Sequence, residues 1–177
     1  EEGYELSFAT NLLNHYVLTS GLIERGLLAD DAVIINMSSG GMYNVPLRID
    51  RLSELDADRY DGVLAYAYQK RAQVELNAWW RQRYSDRDWC FYVMHPGWVD
   101  TEGVKTSLPG FRALFQLVLR EASAGADTAL WLAATRPLQQ DDGSIWLDRE
   151  EHDAHLARST RRDADDVEAL VEFLEEL

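Results

Sequence analysis

The chain has 177 residues, an apolar fraction of 46% and a formal net charge of -14. That length accommodates one domain with a sizeable core, and that acidity repels phosphate backbones and anionic membranes, which excludes nucleic acid and membrane surfaces as expected partners. Cys90 is the only cysteine, so no disulfide closes within the chain, which fits a reducing, cytoplasmic setting. Acidic residues crowd the last third, as in Asp163-Ala164-Asp165-Asp166, and read as a solvated surface. No apolar run approaches a membrane span and no signal peptide is visible. The opening Glu1-Glu2-Gly3-Tyr4 lacks a starting Met and reads as the interior of a longer protein.

In chain order, residues 4 to 20 read as a helix, with Leu6, Leu12, Leu13, Tyr16 and Val17 at near-helical intervals. Ala32-Val-Ile-Ile-Asn-Met37 is a β-branched run suited to a strand buried on both faces of a parallel sheet. It ends in Ser38-Ser39-Gly40-Gly41, where the glycines permit a sharp turn. Residues 42 to 60, with Pro46 and several charges, read as a surface excursion. A long helix is expected from about residue 62 to 84, with Val63, Ala67, Val74 and Leu76 among its apolar positions. Residues 88 to 95 form the next strand, with Cys90 in the core, stopped by Pro96-Gly97. Helical pieces near 111–120 and 124–134 follow, then a short strand over 143–147. Val167, Leu170, Val171 and Leu174 keep the i, i+3, i+4, i+7 rule of an amphipathic helix. Strands alternating with helices call for an α/β fold with parallel strands and helical crossovers, without an internal domain boundary.

Three segments carry chemistry. Tyr66 and Lys70, four apart on the long helix, share one face. A phenol with a pKa of about 10 is a poor acid–base group at neutral pH, and a neighbouring ammonium lowers that value so that it can exchange a proton with a carbinol oxygen. Ser39 follows a buried strand, at the end of a parallel sheet where ligands bind, and its hydroxyl can hold a reacting oxygen. His95-Pro-Gly-Trp-Val-Asp-Thr101 leaves the next strand at the same edge, and Pro96 and Gly97 let the backbone turn close to a flat ligand. Upstream, Asn11 places an amide on the first helix.

In this order these features resemble the short-chain dehydrogenase/reductase family, from Phe8 to about Asp148. The specific words are Asn11, Ser38-Ser39-Gly40-Gly41, Tyr66-Ala-Tyr-Gln-Lys70 and Pro96-Gly-Trp-Val-Asp-Thr101. The fuller wording is similar to that of one subgroup, the dehydrogenase/reductase family member 12 proteins. It runs through Ser39-Gly-Gly-Met42, Lys70-Arg-Ala-Gln73, His95-Pro-Gly-Trp98, Gly103-Val104, Pro109-Gly110-Phe111 and Gly125-Ala-Asp-Thr128. The resemblance implies a Rossmann-type doubly wound parallel sheet, of which this chain is the C-terminal half, strands 5 to 7 with flanking helices. It implies an NAD(P)-dependent oxidoreductase that interconverts an alcohol and a ketone or aldehyde, with NAD against NADP left open.

Tyr66 would then be the proton donor or acceptor. Lys70 would lower its pKa and bind the nicotinamide ribose, and Ser39 would orient the substrate oxygen. Asn11 would anchor a water that continues the relay from Lys70. Pro96, Gly97, the Val99 backbone and Thr101 would hold the nicotinamide. The family's glycine-rich pyrophosphate turn is absent from the sequence, and Ser39 stands further from Tyr66 than the family pattern has it, because of the 42–60 excursion. On the family's strand order the first strand here would lack its neighbour on one side. A chain of residues 1–177 alone is therefore expected to be inactive, unable to bind the cofactor and prone to aggregate.

Other readings are weaker. Ser39, Asp148 and His152 occur in the chain order of a hydrolase triad, but Asn-Met-Ser-Ser-Gly is not a nucleophile elbow. His152 and His155 among acidic residues lack a metal-binding spacing, so no metal is expected. The alternative from another class is a non-catalytic dinucleotide-fold or interaction module. Trp79 and Trp80 would serve it as contacts, and otherwise pack the core or a homodimer formed through the long helices. Residues 102–120, with Phe111, Leu114 and Phe115, are expected to wall an apolar site for a small carbonyl or alcohol substrate.

Overall fold

A computed structural model of the chain describes residues 3–100, 119–140, 143–161 and 164–177. Thr101 and nearly all of the expected 111–120 helix, with Phe111, Leu114 and Phe115, lie outside the described residues. The first helical run, α1, comprises Leu6–Phe8, a π-helical turn Ala9–Leu13, and Asn14–Glu24. The Glu5 carboxylate caps it by accepting the Ser7 and Phe8 N–H groups, each at 2.7 Å, where negative charge also suits the helix dipole. The run extends past the expected end at residue 20.

Strand β1 is Val33–Met37, and the 22-residue helix α2 is Gly62–Arg83. Asp61 caps α2 by accepting from Val63 N and Leu64 N, and Arg81 and Arg83 occupy its last turn, where cations are favoured. Strand β2 is Cys90–Met94, helix α3 is Ala122–Thr135, strand β3 is Ser144–Leu147, strand β4 is Glu150–Asp153, and helix α4 is Ala164–Glu175. The sheet order is β1-β2-β3-β4, parallel between β1, β2 and β3 and antiparallel between β3 and β4. This is the mostly parallel α/β sheet expected, with one strand more. No described helix is long and apolar enough to cross a membrane.

Alternate residues of β2 feed two layers, as the period of a strand requires. Phe91 joins Phe8, Leu12, Tyr16, Leu76, Trp80 and Leu170 under α1, α2 and α4. Tyr92 and Met94 meet Leu132 and Trp146 on the α3 side. All four apolar positions read for α4, Val167, Leu170, Val171 and Leu174, are buried. Trp80 is core, with Trp79 packed against it.

Four local expectations change. Strand β1 is only partly buried along Val33–Ile35, because among the described residues it has a neighbour on one side alone. Val63 is exposed, since the first turn of α2 projects beyond the packed layer. The 42–60 segment does not loop out as a whole. It makes 3-10 turns over Gly40–Asn44 and Ile49–Arg51 and buries Met42, Val45 and Leu52 against α2. The acidic Glu150–Asp153, part of the last third read as a solvated surface, forms β4 at the end of the sheet, where charge blunts an edge. A two-residue turn joins it to β3, with Asp148 at φ 52° and Arg149 at φ 65°. Consecutive left-handed residues match the twist of a hairpin. Their strain is offset by Arg120 pairing with Asp148 and by Arg149 pairing with Asp127 at 2.6 Å.

Leu170→Ala empties a fully buried position between three helices. Urea denaturation of the complete protein should show a loss of about 2–5 kcal/mol. Leu156→Ala, at a residue 73% exposed, should stay within about 0.5 kcal/mol.

Candidate active site

The site grows from the parallel pairing of β1 with β2. Met37 stands opposite Met94, and Ser38 N–H continues the ladder by donating to the Met94 carbonyl at 2.7 Å. The Ser38-Ser39 and His95-Pro96 segments therefore leave the sheet side by side. The Ser38 hydroxyl then donates to the Lys70 carbonyl at 2.8 Å, which ties the end of β1 to the third turn of α2. Ser39 is extended and opens the 3-10 turn, its hydroxyl accepting from Gly41 N–H.

Tyr66 sits one turn above Lys70 on α2. Packing around the phenol raises its pKa, and a hydrogen bond with Ser39 acts against that rise. Lys70 is 7% exposed. Its ammonium donates to the Met37 carbonyl at 2.8 Å and to Gln73 Oε1 at 3.2 Å, and it stands 5.5 Å from the centre of the Tyr66 ring. Burial penalises the charged amine and brings its pKa down to about 8.

Asn11 lies in the π-turn of α1, where the Asn14 N–H reaches back five residues to the Ala9 carbonyl. The Asn11 side chain donates to Ser7 Oγ and Gln69 Oε1, while its carbonyl accepts from Gln73 Nε2. His15, one turn on, contacts Asn36 Oδ1 at 3.3 Å. Burial and the nearby Lys70 charge both depress its pKa.

At the end of β2, Gly97 has φ 76°, and a Cβ there would come within 2.9 Å of the Arg120 guanidinium carbon. Only glycine turns the chain here without strain. A short parallel bridge joins Val99 to Arg120 through Asp100 N–H to Arg120 O and Arg120 N–H to Trp98 O. The Val99 N–H and C=O take no part in that pairing. A Cβ on Gly125 would meet Val99 Cγ2 at 2.6 Å, so glycine in the first turn of α3 lets the helix seat against Val99. The His95 ring lies against Gly40, and its Nδ1 accepts from Gly97 N–H at 3.0 Å.

Ser39, Tyr66, Lys70 and Asn11 are thus joined through direct contacts or one intervening side chain. Pro96, Gly97 and Val99 lie at the same end of the sheet, in the segment that follows β2. Thr101 is outside the described residues. Among the described residues no cluster of metal-ligating side chains occurs, and His155 instead lies 3.7 Å from Glu75. Asp148 pairs with Arg120 rather than completing a triad. Sequence reading did not single out Arg71, Gln73 or Gly125 as builders of the site. The one available sign was that residues 71–77 alternate polar and apolar, which leaves polar groups on every face of a helix.

No family model matches the chain. Aligned over its whole length, it is 42% identical across 180 residues to dehydrogenase/reductase SDR family member 12 of Bos taurus, covering 56% of that protein. It is 40% identical across 179 residues to the Homo sapiens protein of the same name, again covering 56%. Retinol dehydrogenase 12 of Homo sapiens is 30% identical over 151 residues, which are 83% of this chain and 46% of that protein. The chain belongs to the short-chain dehydrogenase/reductase family. It spans about half the length of the curated relatives it matches, in their C-terminal half. Those relatives carry oxidoreductase names.

The Lys70 shift has a stability consequence. Its folded pKa of about 8 lies below the ordinary 10.5, so between those values the unfolded chain binds more protons and stability rises with pH. Below about 8 the full cost of burying the ammonium is present. Lys70→Met should therefore gain more stability over the native protein at pH 7 than at pH 10.5, measured as urea midpoints. A gap independent of pH would mean that Lys70 is not desolvated.

Proposed function

We propose that the complete protein is an NAD(P)-dependent oxidoreductase that interconverts an alcohol and a ketone or aldehyde, with Tyr66 as general acid and base. The observation that carries this reading is the gathering of Ser39, Tyr66 and Lys70 where β1 and α2 meet. The chain's own groups fit a nicotinamide nucleotide. Val99 keeps its N–H and C=O outside the local pairing, as a carboxamide would need. Lys70 commits two of its three N–H donors to described groups, which leaves one for a ribose hydroxyl. The bound cofactor supplies or accepts the hydride.

In the reduction direction Ser39 donates a hydrogen bond to the carbonyl oxygen and fixes its distance from the Tyr66 hydroxyl. Tyr66 gives its proton to that oxygen as negative charge develops there, and in oxidation it takes the proton back. The Lys70 ammonium, over the ring face, stabilises the phenolate that remains. Lys70 also holds the Met37 carbonyl, so the cation that tunes the phenol fixes the strand end that carries Ser39. The substrate is a small alcohol or carbonyl compound.

Tyr66→Phe in the complete protein removes the transferable proton and little else. Turnover should fall at least about a hundredfold, while NAD(P)H binding, followed by its fluorescence, stays near native. Lys70→Ala should weaken both. Near-normal turnover by Tyr66→Phe would reject the mechanism. Unchanged NAD(P)H fluorescence on addition of the native protein would favour a non-catalytic module.

A further inference from the structure

Between the Lys70 ammonium and the Asn11 carbonyl stands a side chain that the family likeness assigns no role. Gln73 Oε1 accepts from Lys70 Nζ at 3.2 Å, and Gln73 Nε2 donates to the Asn11 carbonyl. Gln73 is 1% exposed, and both ends of its amide are engaged. The Asn11 carbonyl lies in the π-turn of α1, and such turns recur at functional sites. We propose that Gln73 is a positioning residue of the active site, its amide bridging the Asn11 carbonyl to the Lys70 ammonium and thereby fixing where the ammonium stands and how readily it holds its proton.

The chemistry supports the direction. An amide oxygen that accepts from an ammonium favours the charged form. Burial works the other way on Lys70, so each acceptor retained in the packed site raises the charged fraction. The Met37 carbonyl is one such acceptor and Gln73 is the other. The amide polarises in one sense along the bridge, because its N–H is committed to a carbonyl that only accepts. A wrong flip would set two acceptors against each other at Asn11 and two donors against each other at Lys70. Among the described residues, the titratable groups around Lys70 are Tyr66 on its own helix and His15 on α1. Strand β1, Val-Ile-Ile-Asn-Met, brings no charge. His15 does not supply a compensating negative charge, so the acceptors carry that duty.

The inference rests on the reading of Tyr66 and Lys70 as the acid–base pair, and its test has a readout that does not. In the complete protein labelled with ¹³C-lysine, the Lys70 side-chain signal, assigned by its loss in Lys70→Met, is titrated by NMR. Gln73→Leu keeps the volume and removes the acceptor, so the Lys70 midpoint should fall by about half a unit or more. Gln73→Glu keeps an acceptor and adds a negative charge, so the midpoint should rise. Gln73→Ala leaves room for a water and should lie nearer the native value than Gln73→Leu. With fewer charged lysines between about pH 7 and 9, the ascending pH limb of alcohol oxidation by Gln73→Leu should move to higher pH. A purely structural role would lower the melting temperature and leave both midpoints in place. A native Lys70 midpoint in Gln73→Leu overturns the proposal. Should that variant not fold, an unchanged midpoint in Gln73→Glu does the same. Failure of the acid–base reading would show separately, as near-normal turnover by Tyr66→Phe, and failure of the enzyme reading as unchanged NAD(P)H fluorescence, while the lysine titration would still decide the role of Gln73.

Discussion

Helix α2 is buried on nearly every face, yet its middle is polar. Gln69, Lys70, Arg71, Gln73, Glu75 and Asn77 are all buried, and a buried polar group without a partner costs several times what a formed hydrogen bond contributes. The fold meets this constraint by turning each surrounding element so that it offers a carbonyl. Gln69 donates to Leu52 O, Lys70 to Met37 O, Gln73 to Asn11 O and Asn77 to Phe91 O. Arg71 donates to Met42, Val45 and Ala154 carbonyls. One helix therefore sets the position of α1, the end of β1, the 42–52 segment, β2 and the residue after β4.

Arg71 is the strongest of these clasps. It is fully buried and always charged, and Glu75, also fully buried, faces it at 3.5 Å one turn along the helix. Burying both ions is costly, and the three carbonyls together with the carboxylate are what make the arrangement tolerable. The segment after Ser39 is held by the residue next to Lys70 in sequence. Ser39 and Lys70, proposed above to orient the substrate and to tune the phenol, thus share a rigid mounting, as such a site would require.

A second consequence concerns charge. The site keeps a cation in a packed setting with polar but uncharged neighbours, Met37 O and Gln73 Oε1. A carboxylate in their place would hold Lys70 protonated but would also raise the Tyr66 pKa, against the acid–base task proposed for the pair. Neutral acceptors support the ammonium without opposing the phenolate. Stability is given up for this poise, as is common where function needs a desolvated charge.

Much of the secondary structure was legible in the residues, and so was the gathering of Ser39, Tyr66 and Lys70 at one end of the sheet. The periodicity of Val167, Leu170, Val171 and Leu174 is local, and so is the β-branched run of β1, because each reflects which side of an element meets the core. Tyr66 and Lys70 share a helix face by spacing alone, and Ser39 and Pro96-Gly97 follow strands that a parallel sheet brings to one edge. The sequence could not show that Met42 and Val45 are buried, since burial there depends on Arg71 reaching their carbonyls across 29 and 26 positions. Nor could it show β4, whose acidic residues pair with β3 only because a left-handed turn is pinned by Arg120 and Asp127. The π-turn at Asn11 and the span of Gln73 from Asn11 to Lys70 were equally hidden. Local propensity determined which segments are helices and strands. Partnerships between buried polar groups far apart in the chain were decided by tertiary structure, because a hydrogen bond is satisfied by position in space and not by residue type.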